Sequence, residues 1–169
     1  MQLDKYCYLE VDEPEEEIKQ ITRVRFEADY DITDVLTRWG NWARKEAYLQ
    51  RKSFTLFKSE FKDKELLNND DGITIDSVIA ELGKMKSKKA KNEYQILKLY
   101  YFGKVNIVDN NLMIMPQSLR SIAKMMNIGA TEVRAIKNSA ESCIVGMLSM
   151  LTMLTGKELE LLKNINLLK

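Results

Sequence analysis

The sequence predicts a mainly α-helical bundle containing a helix-turn-helix, with a small β-hairpin wing at 105–115. Three observations carry that expectation. Apolar residues recur at three-and-four spacing along most of the chain from Ile32 to Leu154, the signature of one buried helix face. β-favouring residues flank an Asn-Asn turn at one place only after residue 31, between Lys104 and Pro116. Ala123, followed four residues later by Asn127, divides two helical patterns in the way a helix-turn-helix requires.

Taken in order, residues 1–31 carry ten acids and four bases and read as an acidic N-terminal arm, with Leu9-Glu10-Val11 as a short strand and one helical turn after Pro14. From Thr33 the pattern sharpens. Ile32, Val35, Leu36, Trp39, Trp42 and Ala43 mark a helix of about five turns, capped by Thr33 or Asp34. Phe54, Phe57 and Phe61 extend the spacing until Asn68-Asn69-Asp70-Asp71-Gly72, a turn-rich run that we take as the main joint of the chain. Residues 32–72 thus form a helical basic and aromatic segment with its loop.

Beyond the joint, residues 73–155 form the expected helix-turn-helix domain and 156–169 a C-terminal tail. Thr74 or Asp76 caps a helix buried through Ile75, Val78, Ile79, Leu82 and Met85. A second helix runs through Ala90, Tyr94, Leu97 and Tyr101; Ile96, Leu99 and Tyr100 make it apolar on more than one side, which places it centrally, and Gly103 stops it. Val105 to Val108 and Leu112 to Met115 then supply the two arms of the wing.

Composition narrows the chemistry. The chain has 169 residues, enough for one compact unit, and its 45% hydrophobic content supplies a core. It has no histidine, which removes the commonest general base, the Ser-His and Cys-His pairs and most zinc sites. Cys7 and Cys143 cannot build a metal cluster alone, and Cys143 falls on a buried helix stripe. No catalytic activity, metal or cofactor is expected. A metal-dependent enzyme using Asp70, Asp71 and Asp76 is the weakest reading, because acids in such a loop are ordinary turn formers. No apolar run is long enough for a membrane span, and the acidic start lacks the features of a signal peptide, so a cytoplasmic protein is expected.

The net charge of +1 hides opposed blocks, because residues 65–83 carry five acids and no base while residues 84–104 carry seven lysines and one acid. Such a chain offers basic surface to a polyanion. Leu119 to Ile136 read as the helix-turn-helix, with Ala123 where the helices cross, Asn127 in a left-handed turn, Ile128 plugging the angle and Thr131 capping the second helix. Ala130, Thr131, Arg134, Ala135, Lys137 and Asn138 then face outward, and their chemistry suits groove reading: Arg for guanine, Asn for adenine, Thr or Ala for a thymine methyl. Arg120 and Lys124 lie nearer the backbone as phosphate clamps. The competing reading is an ordinary helical hairpin with an exposed polar face.

Two further features carry open alternatives. The stripe Val133, Ile136, Ala140, Cys143, Met147, Met150 and Leu154 should pack on the helices at 75–102, with a dimer seam as the other option. Trp39 and Trp42 read as core residues more readily than as base-stacking ones. The run Arg44-Lys45, Tyr48, Arg51-Lys52, Phe54, Phe57-Lys58, Phe61-Lys62 is either a solvated helix face or a surface for RNA or a polymerase, with Arg44, Lys45, Arg51, Lys52 and Lys58 as the contact candidates.

Leu36-Thr37-Arg38-Trp39-Gly40-Asn41-Trp42 resembles the early Leu-x-x-Trp-Gly-x-Trp signature of the phage antitermination protein Q family. Leu99-Tyr100-Tyr101-Phe102-Gly103-Lys104 is similar to its Tyr-Tyr and Gly stretch, and Ile144-Val145-Gly146-Met147-Leu148 to its closing apolar-Gly-Leu run. The resemblance covers residues 32 to 151; the wing and the acidic arm depart from it and inherit nothing. It implies a phage late-gene transcription antitermination factor in the cytoplasm of a bacterial host. Its implied partners are double-stranded DNA near a late promoter, bacterial RNA polymerase and, as a further candidate, nascent RNA. A conventional helix-turn-helix activator or repressor is the alternative, and the oligomeric state stays open.

Overall fold

The computed structural model describes residues 30–50, 67–108, 111–156 and 159–160. Within them the chain is mainly helical, with one two-stranded antiparallel sheet. Helix α1 spans Ile32–Gln50. Its cap is Asp31, whose carboxylate accepts the Thr33 N–H at 2.9 Å, so the helix starts ahead of the Thr33 or Asp34 cap expected from sequence. Val35, Leu36 and Trp39 are buried on the predicted face.

Helix α2 spans Asn69–Lys84 and overturns the expected joint. Asn68 does not end order; its side chain accepts the Asp71 N–H at 2.7 Å and starts the helix. The same residue types make turns and helix starts, and Asp70 and Asp71 in the first turn complement the helix dipole. Gly72 is buried under Trp42, where any Cβ would run into the indole ring. Ile75, Val78, Ile79 and Leu82 are buried as the spacing predicts, whereas Met85 is exposed. They share one core with Val35, Leu36 and Trp39 and with Ala140, Ile144, Leu148 and Leu159. The boundary drawn at 72/73 therefore cuts through a helix and its core.

Helix α3, Lys88–Leu97, continues into a single π-helical turn, Lys98–Phe102. Its central position is borne out: Leu97 and Tyr101 enter the main core, while Ile96 enters a second cluster with Ile122, Ala123 and Val133. Gly103 ends the turn at φ 107°, donating its N–H to the Lys98 carbonyl at 2.8 Å. The wider turn was not legible in the sequence. It is held from outside, because the Arg44 guanidinium donates to the Tyr101 carbonyl at 2.5 Å and to the Phe102 carbonyl at 3.1 Å. Gly40 permits this approach: a Cβ there would collide with the Tyr101 carbonyl.

Strands β1, Lys104–Val108, and β2, Asn111–Met115, form the predicted hairpin, with Val105 opposite Ile114 and Val108 opposite Asn111. Asn111 is thus the first strand residue rather than part of the turn. The hairpin is pinned to the end of α1 by Ile114, which packs beside Tyr48 and donates its N–H to the Tyr48 hydroxyl at 2.8 Å. Helix α4, Leu119–Met126, and the 26-residue helix α5, Ala130–Thr155, complete the described fold.

Along α5 the buried positions are Val133, Lys137, Ala140, Glu141, Ile144 and Leu148. This stripe drifts with the 3.6-residue period away from the strict three-four series expected, leaving Met150 and Leu154 exposed. The packing of α5 on the helices at 75–102 stands, because Ala140, Ile144 and Leu148 lie in the core with them. The acidic arm, Cys7, Phe54, Phe57 and Phe61 lie outside the described residues.

Candidate nucleic-acid interface

Residues 118–138 form a helix pair whose angle is set by local chemistry. Ser118 starts α4, its hydroxyl accepting the Ser121 N–H at 3.2 Å. Asn127 adopts φ 55°, ψ 46°, and is the only non-glycine residue at positive φ among those described. That conformation costs most L-residues roughly 1 to 2 kcal/mol, and Asn among the least. The chain reverses there, and the Ile128 N–H returns to the Ala123 carbonyl at 3.1 Å. Ile122, Ala123 and Val133 are buried between the two helices, with Leu119, Met126, Ile128 and Ile136 around them. The turn and plug predicted from Asn127 and Ile128 are thus present.

The start of α5 is open. Gly129 is its N-cap and supplies no side chain, so Thr131 sits inside the first turn rather than capping it. Ala130, Thr131, Arg134, Ala135 and Asn138 are exposed, as are Arg120 and Lys124 on α4. Glu132, also exposed in that first turn, partly offsets their positive charge.

Lys137 departs from expectation: it is 9% exposed and points inward. Its Nζ lies 2.5 Å from Glu141 Oε1, and 5.1 and 5.7 Å from the ring centres of Tyr100 and Tyr101. The Tyr101 hydroxyl donates to the same carboxylate. Burial, reinforced by the Glu141 carboxylate, pushes the Tyr101 hydroxyl well above its ordinary pKa. Position 137 follows Val133 by four residues and precedes Ala140 by three, so it belongs to the inner stripe. Glu141, four residues on, was the available sign that the lysine has a partner inside.

Arg44 is a second correction. Its guanidinium donates to the Tyr101 and Phe102 carbonyls and to Asn41, a role in the fold that its charge did not announce. Lys45 is half-buried, and Arg51, Lys52 and Lys58 lie outside the described residues. The structure also adds residues not singled out from sequence. Lys89 and Asn92 at the start of α3 share a small cleft with Ala135 and Ser139, and Ser139 donates to Glu93 at 2.7 Å. The lysine block from 84 was visible as charge, but its place beside α5 required the fold.

Among the described residues no helix is long and apolar enough to cross a membrane, and no group of three or more Cys, Asp or Glu side chains can hold a metal ion. Fold and face together define a small, mainly helical protein that presents a mixed basic and polar helix start from a rigid, tightly turned helix pair. The chain belongs to the phage antitermination protein Q family, whose model matches residues 29–155. Its function, at that level, is transcription antitermination. No curated protein and no solved structure matches the chain.

Proposed function

We propose that the protein is a phage late-gene antitermination factor that binds double-stranded DNA near a promoter through α4 and α5, engages bacterial RNA polymerase, and carries it through terminators. The observation that carries the DNA-binding half is the left-handed Asn127 turn, which leaves the first two turns of α5 exposed with Ala130, Thr131, Arg134, Ala135 and Asn138 on them. These are groove-reading side chains on a helix end whose first N–H groups carry no side-chain cap. Arg120 and Lys124, exposed on α4, are assigned to phosphates in the usual division of labour, with base contacts specifying and phosphate contacts positioning. Lys89 extends the basic flank beside Ala135. Lys137 is withdrawn from the set.

Engagement of polymerase is assigned to the basic segment that follows α1, with Arg51, Lys52 and Lys58 as contacts; the family supports the activity and charge supports the surface. The test is transcription by purified polymerase on a template with a terminator downstream of the cognate promoter region. Read-through that requires both the protein and that region supports the proposal. Promoter activation with full termination would make the protein a conventional activator. Arg134→Ala and Asn138→Ala should each cost about 1 to 3 kcal/mol of specific DNA affinity and relax preference at one base position; unchanged specificity in both would remove α5 from the groove.

A further inference from the structure

We propose that a lysine-lined cleft on the outward face of α3, closed by the start of the hairpin, holds the phosphate backbone of double-stranded DNA. The cleft has a volume of about 290 Å³ and is lined by Lys91, Tyr94, Gln95, Lys98, Leu99 and Lys104. The assignment rests on the reading of the protein as a DNA-binding factor but on none of the α5 residues.

Local geometry builds the cleft. Lys88, Lys91, Gln95 and Lys98 follow one another at three-and-four spacing and are all exposed, so they share one outward face. Lys104 joins them because the π-turn closes on Lys98: the Gly103 N–H bonds the Lys98 carbonyl at 2.8 Å, and β1 starts at the next residue. Gly103 also admits the Met115 carbonyl, which a Cβ would strike, so the base of the hairpin is held against the turn. Three ammonium groups from a helix, a turn and a strand thereby share one concave surface.

Charge there is one-sided. The only acid of α3, Glu93, is buried, where its carboxylate accepts from Ser139 at 2.7 Å and lies 3.7 Å from Lys89. Among the described residues no carboxylate lines the cleft, and none forms an ion pair with Lys91, Lys98 or Lys104. Lysines set together with no acid between them repel one another, a cost to the fold that an anionic ligand removes. A duplex backbone suits the cleft better than a single strand. Single-strand sites combine a basic groove with aromatic faces on which bases stack, whereas the one ring here, Tyr94, has the Lys98 Nζ 5.7 Å from its centre. The ridge from Lys88 to Lys98 is ~15 Å long and a duplex carries a charge every ~1.7 Å of its axis, so several phosphates come within reach.

The test is fluorescence anisotropy of a mixed-sequence duplex titrated with the full-length protein at a series of salt concentrations. Each phosphate contact contributes roughly 0.9 to the slope of log affinity against log salt. Replacing Lys91, Lys98 and Lys104 together by Gln should therefore lower the slope by roughly 2 to 3. Lys91→Arg, Lys98→Arg and Lys104→Arg together should keep the parent slope, as should Lys84→Gln with Lys86→Gln, which lie outside the cleft. The single variants Lys91→Gln and Lys104→Gln, each lowering the slope by about 0.9, carry the test if the triple variant does not fold. An unchanged slope would overturn the cleft, and so would an equal fall in the Lys84 and Lys86 variant, which would mean diffuse charge. A fall seen with single-stranded RNA and not with the duplex would overturn it in favour of RNA. The slope on a mixed-sequence duplex owes nothing to sequence preference, so a failed α5 assignment would leave a positive result standing; absence of any duplex binding by the parent would overturn both.

Discussion

Two helical glycines should respond in opposite directions to the same substitution. Gly40 lies in α1 against the π-turn, and a Cβ there would sit far inside the van der Waals radius of the Tyr101 carbonyl; around Gly146 in α5 nothing lies within 4 Å of that position. Alanine gains ~1 kcal/mol over glycine in a helix interior. At Gly40 that gain is opposed by overpacking of about 1 to 3 kcal/mol. It is opposed further by strain on the Arg44 bond to the Tyr101 carbonyl, a charged hydrogen bond of about 1.5 to 3 kcal/mol. The expected net loss for Gly40→Ala is about 2 to 4 kcal/mol, a fall in Tm of roughly 5 to 15 °C, while Gly146→Ala should gain ~1 kcal/mol. Urea denaturation followed by circular dichroism reads both, provided the m-value is unchanged. A Gly40→Ala protein as stable as the parent would show that α1 and the π-turn do not touch as described. Loss of stability in Gly146→Ala would show that this face of α5 is covered.

Asn127→Gly should leave stability unchanged or slightly raised and Asn127→Val should lower it by about 1 to 2 kcal/mol; equal melting temperatures would remove the left-handed turn. Lys137→Ala should cost about 3 to 5 kcal/mol by leaving the Glu141 carboxylate buried without its ammonium partner, whereas Arg134→Ala, exposed, should stay within about 0.5 kcal/mol in the same urea titration. The Tyr101 hydroxyl titrates higher in the folded than in the unfolded chain, so its contribution is full below pH 10.0, its ordinary value, and is lost as pH rises beyond it. Urea midpoints taken from pH 8 to 11 should therefore fall more steeply for the parent than for Tyr101→Phe, and parallel curves would contradict the burial of that group. Reversing Arg51, Lys52 and Lys58 to Glu should abolish terminator read-through with promoter affinity little changed; full read-through would mean that polymerase is engaged elsewhere.

Periodicity made the helices, the hairpin and the Asn127 turn legible, because each rests on spacing or on a single residue's conformational preference. The Asn68 to Gly72 run misled for a physical reason: Asn and Asp satisfy backbone donors equally in a loop and at a helix start. What separates the two is Trp42, 30 residues earlier in the chain, whose indole needs a glycine beneath it. Lys137 misled likewise, since a lysine on an inward position is indistinguishable from an outward one until its carboxylate and aromatic neighbours are known. The exposed set Arg120, Lys124, Ala130, Thr131, Arg134, Ala135 and Asn138 was readable because buried neighbours at fixed spacing determine which side of a helix is left over.

The corrected residues explain why the Trp-Gly-x-Trp and Tyr-Tyr-Phe-Gly stretches belong together. Gly40 admits the Tyr101 carbonyl, and Arg44, one helical turn later, bonds that carbonyl and the next. A π-turn shifts the ladder by one residue, so carbonyls at its end lack partners from their own helix and need a donor from elsewhere. With the turn fixed, the Tyr101 side chain enters the core and its hydroxyl meets Glu141, which holds Lys137 on α5. Backbone fit on α1 is thereby converted into a fixed rotation of α5 about its own axis. Rotation by a single residue, about 100°, in the sense that brings Asn138 to the place of Lys137 would bring Arg134 to that of Val133 and bury both. The buried Lys137, Glu141 and Tyr101 group is costly to desolvate and is a poor source of net stability compared with apolar packing. Its physical return is register: an apolar stripe tolerates sliding, whereas a desolvated carboxylate with two donors tolerates none. A helix start that reads a groove, as proposed above for α5, would need that constraint, and Lys137, Glu141 and Tyr101 supply it from inside the fold.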